Sequence, residues 1–87
     1  MRYITHWKFD KKFGKLPKAL KIKVKERWDI FLVDTHNPLL DNHPLNPPLR
    51  GSRSINITGD YRAIFKHLEK DLVIFTDIGT HHQLFGT

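Results

Sequence analysis

The stretch Ile55-Asn56-Ile57-Thr58-Gly59-Asp60-Tyr61-Arg62-Ala63-Ile64-Phe65 decides how this chain folds. In an extended backbone Ile55 and Ile57 fall on one face and Ser54, Asn56 and Thr58 on the other, the two-residue period of a half-buried strand. Gly59-Asp60 is a turn signal of the hairpin kind. Residues 61–66 restore the alternation with aromatic and β-branched side chains, so a second strand follows. Such a hairpin puts Asp60, Tyr61 and Arg62 where the sheet meets solvent. A third strand is predicted at 72–75, after the Lys70-Asp71 turn. The chain then closes with Gly79-Thr80-His81-His82-Gln83-Leu84-Phe85 as a short tail.

Toward the N-terminus, Tyr3 and Ile4 mark a short first strand within residues 1–6. Trp7, Phe9 and Phe13 come next, interleaved with Lys8, Lys11, Lys12 and Lys15. Phe9 and Phe13 are four apart, which makes a helix with one aromatic face and a basic remainder. Asp10 suits its first turn. Leu16-Pro17 ends it, because Pro17 pushes Leu16 out of the α region. Pro17 is equally well placed to open a second helix. Leu20, Val24, Trp28 and Phe31 recur at helical spacing and predict that helix over 17–33. Between 34 and 51, Pro38, Pro44, Pro47 and Pro48 forbid regular helix or central strand. Leu39, Leu40, Leu45 and Leu49 pin this segment to the core, and its length marks it as functional or lid-like. The expected fold is α+β, one domain over 1–87. A helical hairpin packs on a small, largely antiparallel four-stranded sheet in the order β-α-α-β-β-β, leaving the other sheet face free to bind.

A chain of 87 residues supports one core and not two. It has no cysteine, which excludes a disulfide framework and a thiolate zinc site and fits a reducing compartment. No apolar run reaches membrane-spanning length, and the N-terminus is not that of a signal peptide, so a cytoplasmic protein with no membrane partner is expected. The net charge is +6, and eight of the fifteen lysines and arginines lie between Lys8 and Lys25. That imbalance favours a polyanionic partner; the competing reading is a solvated basic helix.

Histidine is where catalysis would start, since imidazole can donate or accept a proton near neutral pH. His43 sits in the proline-rich segment, and His81 and His82 follow the last strand. Arg62, at the start of the middle strand, has the fork geometry that grips phosphate. A base, an acid and a guanidinium around a phosphate are what RNA cleavage needs. The base takes the proton of the ribose 2′-OH, the guanidinium neutralises charge developing at phosphorus, and the acid protonates the departing 5′ oxygen. DNA, lacking the 2′-OH, would be spared. Each histidine alone also reads as a surface residue. A zinc site from His43, His81 and His82 is disfavoured, because adjacent histidines in a strand point apart; no metal or cofactor is expected. Ser52 and Ser54 have no nucleophile elbow around them. His6, His36 and His67 have no motif support.

Four pieces together carry a family likeness: Phe13 with Lys15-Leu16-Pro17; His43-Pro44-Leu45 with Leu49-Arg50-Gly51; Gly59-Asp60-Tyr61-Arg62-Ala63-Ile64-Phe65; and Gly79-Thr80-His81-His82-Gln83-Leu84-Phe85. In this pattern the chain resembles the RelE/ParE toxin superfamily, most of all its YafQ-type branch, over nearly its whole length. The resemblance implies an mRNA interferase of a type II toxin–antitoxin system, which cuts messenger RNA in the ribosomal A site. It implies a cognate antitoxin, a hetero-oligomer with it, and contact with ribosomal RNA. It assigns catalytic roles to His43, Asp60, Arg62 and His81. YafQ-like chains can carry a further histidine where this one has Asn56, which can hydrogen-bond but cannot exchange a proton. Acid and base then rest on His43 and His81, with Asp60 orienting a histidine or acting as base itself. Tyr61 and Phe85 are base-stacking candidates, with a core-capping role as the alternative for Tyr61. Asn56 joins them as a substrate contact. Lys11 and Lys15, with Lys12 and Lys18, would track RNA phosphates. Two other functions stay open: a ParE-like protein that blocks DNA gyrase without cleaving RNA, and a basic RNA-binding module without catalysis.

Overall fold

The alternating stretch forms the centre of a sheet in the computed structural model, which describes residues 1–86. In chain order the elements are β1 (Arg2–Thr5), α1 (Trp7–Gly14), α2 (Lys18–Val33), a 3₁₀ turn at Pro38–Leu40, β2 (His43–Pro44), β3 (Arg53–Thr58), β4 (Tyr61–Glu69), β5 (Leu72–Thr80) and α3 (His81–Phe85). The sheet has five strands in the order β1-β5-β4-β3-β2. β1 runs parallel to β5, and every other pair is antiparallel. The α+β architecture and helix order match expectation, with one strand more. The extra strand is β2, two residues of the proline-rich segment that pair with Ser54 and Arg53 at the sheet edge. Pro44 is tolerated there because an edge strand has one side free of ladder bonds.

Alternation explains the core. Ile55, Ile57, Ala63, Phe65, Phe75 and Ile78 are at most 2% exposed and face the helices. From α2, Val24, Trp28 and Phe31 meet them, and from α1, Phe9. Phe75 is the hub of the aromatic packing, with ring centroids 5.4–5.9 Å from those of Tyr3, Phe9, Trp28, Phe31 and Phe65. The hairpin turn is Gly59-Asp60, with Gly59 at φ +50°, a conformation glycine adopts without steric cost. A bulge between Asn56 and Thr58 breaks the β3–β4 register just before this turn. Arg27 of α2 donates to the carbonyl of Ile57 there at 2.8 Å, satisfying a group the ladder leaves over.

Two further outcomes differ from expectation and both shape the site. β5 extends to Thr80, well past 75. The closing tail is a short helix, because Thr80 and Gln83 form a reciprocal cap: the Thr80 amide donates to Gln83 Oε1 at 2.8 Å and the Gln83 amide to Thr80 Oγ1 at 3.2 Å. Gly86 ends it at φ +73°. The sheet face away from α1 and α2 is therefore not bare; α3 and the proline-rich segment stand on it and leave hollows between them. No helix among the described residues is long and apolar enough to cross a membrane.

Candidate active site

Pleat and register set the floor of the site. Asn56 pairs with Arg62, Ser54 with Ile64 and His43 with Ser54, so these side chains share the face opposite the core. Arg62 is tied down on that face from two directions. Its Nε donates to the fully buried Ser54 Oγ, and one terminal nitrogen reaches the Ser54 carbonyl at 3.3 Å. The same nitrogen donates to the Asp41 carbonyl at 2.8 Å, and the other meets the Asp41 carboxylate at 3.3 Å. The Arg62 side chain is 11% exposed, that of Asp41 70%. Burial lowers the Arg62 pKa below its ordinary value, while the charge and hydrogen bond of Asp41 push it back up. Arginine stays a cation throughout this range.

Asp41 has a second task. It is the one non-glycine with positive φ among the described residues, at +44°. In that left-handed turn its carbonyl also meets His43 Nδ1 at 2.9 Å. A carbonyl cannot donate, so Nδ1 carries the ring hydrogen in this contact and Nε2 of the neutral ring is the accepting nitrogen. Arg62 approaches the same Nδ1 at 3.3 Å, a longer contact between two donors. One backbone carbonyl thus orients both the imidazole and the guanidinium.

A cleft of about 700 Å³ opens over this floor. Asp41, His43 and residues 44–49 make one wall, Arg62 the base, and His81, Leu84 and Phe85 of α3 the other wall. The His81 and Phe85 rings lie 4.8 Å apart, and the His81 amide donates to the carbonyl of Asp60 at 3.0 Å. His43, Arg62, His81 and Phe85 are therefore brought together. Asp60 is not among the lining residues: its side chain is exposed at the hairpin tip, and its backbone anchors α3. Asn56 lies beside Arg62 on the sheet but outside the cleft. Tyr61 is half-buried against the core, the core-capping alternative of the two readings. Lys11 and Lys15 are exposed on and just after α1, away from the cleft, and Lys12 is paired with Asp77 at 2.6 Å. Among the described residues no three histidine, aspartate or glutamate side chains gather as a metal site requires.

Asp41, Ser54 and Leu84 were not candidates from sequence. Ser54 had a legible signal, its place on the same strand face as Asn56, but its use as an arginine anchor depends on the partner strand. Asp41 carried none, because its role depends on a left-handed turn that brings its carbonyl and carboxylate to a strand 21 residues away.

No family model and no curated protein matches the sequence; the likeness lies in structure. YafQ from E. coli strain BL21(DE3) superposes with a TM-score of 0.81 at 25% identity, over 99% of this chain and 100% of that one. The E. coli DinJ-YafQ toxin-antitoxin complex gives 0.75 at 25% identity, over 97% and 96%. A YoeB/ParE toxin from Agrobacterium tumefaciens shares the fold at 0.76 with 13% identity, over 93% and 99%. In fold, element order and sequence motifs the chain is similar to toxins of the RelE/ParE superfamily, and to those of the YafQ type above all.

Proposed function

We propose that the chain is an endoribonuclease, an mRNA interferase that acts on messenger RNA in the ribosomal A site and is restrained by a cognate antitoxin. The observation that carries this reading is the convergence of His43, Arg62 and His81 on one cleft, from positions 19 residues apart on either side of Arg62.

The geometry supports a division of labour. His43, with Nδ1–H held by the Asp41 carbonyl, offers Nε2 to the ribose 2′-OH as general base. The freed 2′ oxygen attacks phosphorus, and the bond to the 5′ oxygen breaks. His81, across the cleft, gives that oxygen its proton. The products are a 2′,3′-cyclic phosphate and a 5′-hydroxyl end, with the proton count unchanged. Arg62 on the floor meets the phosphate once the Asp41 carboxylate has yielded to it; that carboxylate is 70% exposed and its contact, at 3.3 Å, is long, so it can swing into solvent. Phe85 gives a base a face to stack on. Asp60 acts through the backbone that seats His81, and no proton transfer is assigned to it.

The antitoxin partner is supported by the toxin–antitoxin complexes among the similar structures, DinJ-YafQ of E. coli and RelB-RelE of Methanococcus jannaschii. The test is primer extension on a defined mRNA, with and without ribosomes, comparing wild type with His81→Ala. Discrete cuts in the wild type that fall by a hundredfold or more in the variant are expected, the scale of a lost proton-transfer group. Growth arrest without any RNA cleavage points instead to a gyrase-type target.

A further inference from the structure

A second hollow of about 450 Å³ lies on the same sheet face, beside the cleft. Leu49 and Leu84 line both, so the two adjoin across apolar side chains. Its floor is apolar: Ile64 is 2% exposed, and Ile74 is half-buried. Its edges carry Lys8 from α1 and Lys66 from β4, both exposed. The acid in its wall, Asp77, is already paired with Lys12. His6 adds a donor: its Nδ1 accepts the Lys8 amide at 3.1 Å, so the neutral ring holds its hydrogen on Nε2. Between His6 and Lys8 in the chain stands Trp7, which is 63% exposed. Its ring lies 5.6 Å from that of His6, with the Lys8 ammonium 5.9 Å from its centroid.

We propose that this groove is a binding site for single-stranded RNA, holding the nucleotides that adjoin the cleaved linkage. Lysines along the rim meet the phosphates, and Trp7 offers a ring for stacking, the pairing of features that holds unpaired strands without reading sequence. Charge and adjacency favour RNA over a protein segment: among the described residues the edge charges outside an ion pair are cations, and the groove shares Leu49 and Leu84 with the cleft. The site deepens the nuclease reading and rests on it for the strand's point of entry.

The test is a binding measurement on the full chain with 2′-O-methyl oligonucleotides, which cannot be cleaved. Trp28 is 8% exposed, so quenching of tryptophan fluorescence reports Trp7. A hexanucleotide is expected to quench it and to bind at least about tenfold tighter than a dinucleotide, since one stacked base is worth that much. Lys8→Ala with Lys66→Ala should bring the hexanucleotide down toward the dinucleotide and flatten the slope of log K against log salt by about 1.4, two phosphate contacts on a single strand. The double arginine variant, Lys8→Arg with Lys66→Arg, should restore both, and equal thermal midpoints certify folding. A hexanucleotide no tighter than a dinucleotide overturns the proposal, as does a length advantage that survives the double alanine variant. So does a variant that binds RNA normally and fails only to bind antitoxin. If lysine-dependent hexanucleotide binding stands while no RNA is ever cut, the groove holds and the nuclease reading falls.

Discussion

At the scale of single residues, Arg62 is the position where stability and proposed chemistry meet. Its Nε satisfies the buried Ser54 hydroxyl, and its terminal nitrogens hold the Asp41 turn. Arg62→Ala should therefore cost about 1–3 kcal/mol of stability, the penalty for leaving a buried polar group without its partner. The same change should lower kcat by roughly a hundred- to a thousandfold with a smaller effect on KM, because the charge matters most as the transition state forms. Single-turnover cleavage on programmed ribosomes, beside a denaturation curve, separates the two effects. A shift confined to KM would make Arg62 a docking residue. Arg62 was legible as a candidate from its place at the strand start. Its anchors were not: Ser54 lies eight residues away and Asp41 twenty-one, and only the sheet register and the Asp41 turn bring them to it.

At the scale of elements, α3 has five residues and holds its shape through its caps. A Cβ on Gly79 would stand 2.8 Å from Gln83 Oε1 and 3.3 Å from Gln83 Cβ. Gly79→Ala should push the Gln83 side chain aside and loosen its half of the reciprocal cap, the bond to the Thr80 amide, at a cost of about 1 kcal/mol. His81 and Phe85 ride on that helix, so cleavage should drop severalfold or more while the thermal midpoint moves only a few degrees. Unchanged activity would mean that α3 need not be held in place. The capping box was readable as Thr80-His81-His82-Gln83, a pattern overlooked beside the motif it overlaps. β1 makes a separate point. Tyr3 stacks on Trp28 at 4.7 Å, and burial, helped by Asp29, raises its phenol above the ordinary 10.0. A raised folded pKa means a stabilising contribution complete below about pH 10 and lost as pH climbs through the folded value. Wild type should lose more thermal stability than Tyr3→Phe above pH 10. Parallel curves would clear the phenol.

For the whole molecule, charge and shape place the proposed chemistry on one side. α1 and α2 cover one sheet face, and the cleft and groove open on the other. With a net charge of +6, an acidic antitoxin segment that enters this side would meet the basic groove and the walls of the cleft together. Protection mapping by hydrogen exchange on the complex should show slowed amides in residues 41–49 and 81–85. Affinity should also weaken with added salt. A complex that leaves both segments unprotected would place neutralisation elsewhere, acting through shape rather than charge.

The amino-acid order by itself determined the hairpin, the long helix with its Val24-Trp28-Phe31 stripe, the break at Leu16-Pro17, and which side chains can move protons or hold phosphate. These follow from backbone sterics, residue period and intrinsic acidity, all properties of neighbours in the chain. The tertiary structure alone decided that β1 would pair in parallel with β5, that His43 and Pro44 would become an edge strand, and that the Asp41 carbonyl would orient His43 and Arg62. It alone set Asp60 outside the cleft and His81 within it. Each of those outcomes depends on register between segments far apart in sequence, where one residue of slip reverses the face on which a side chain stands.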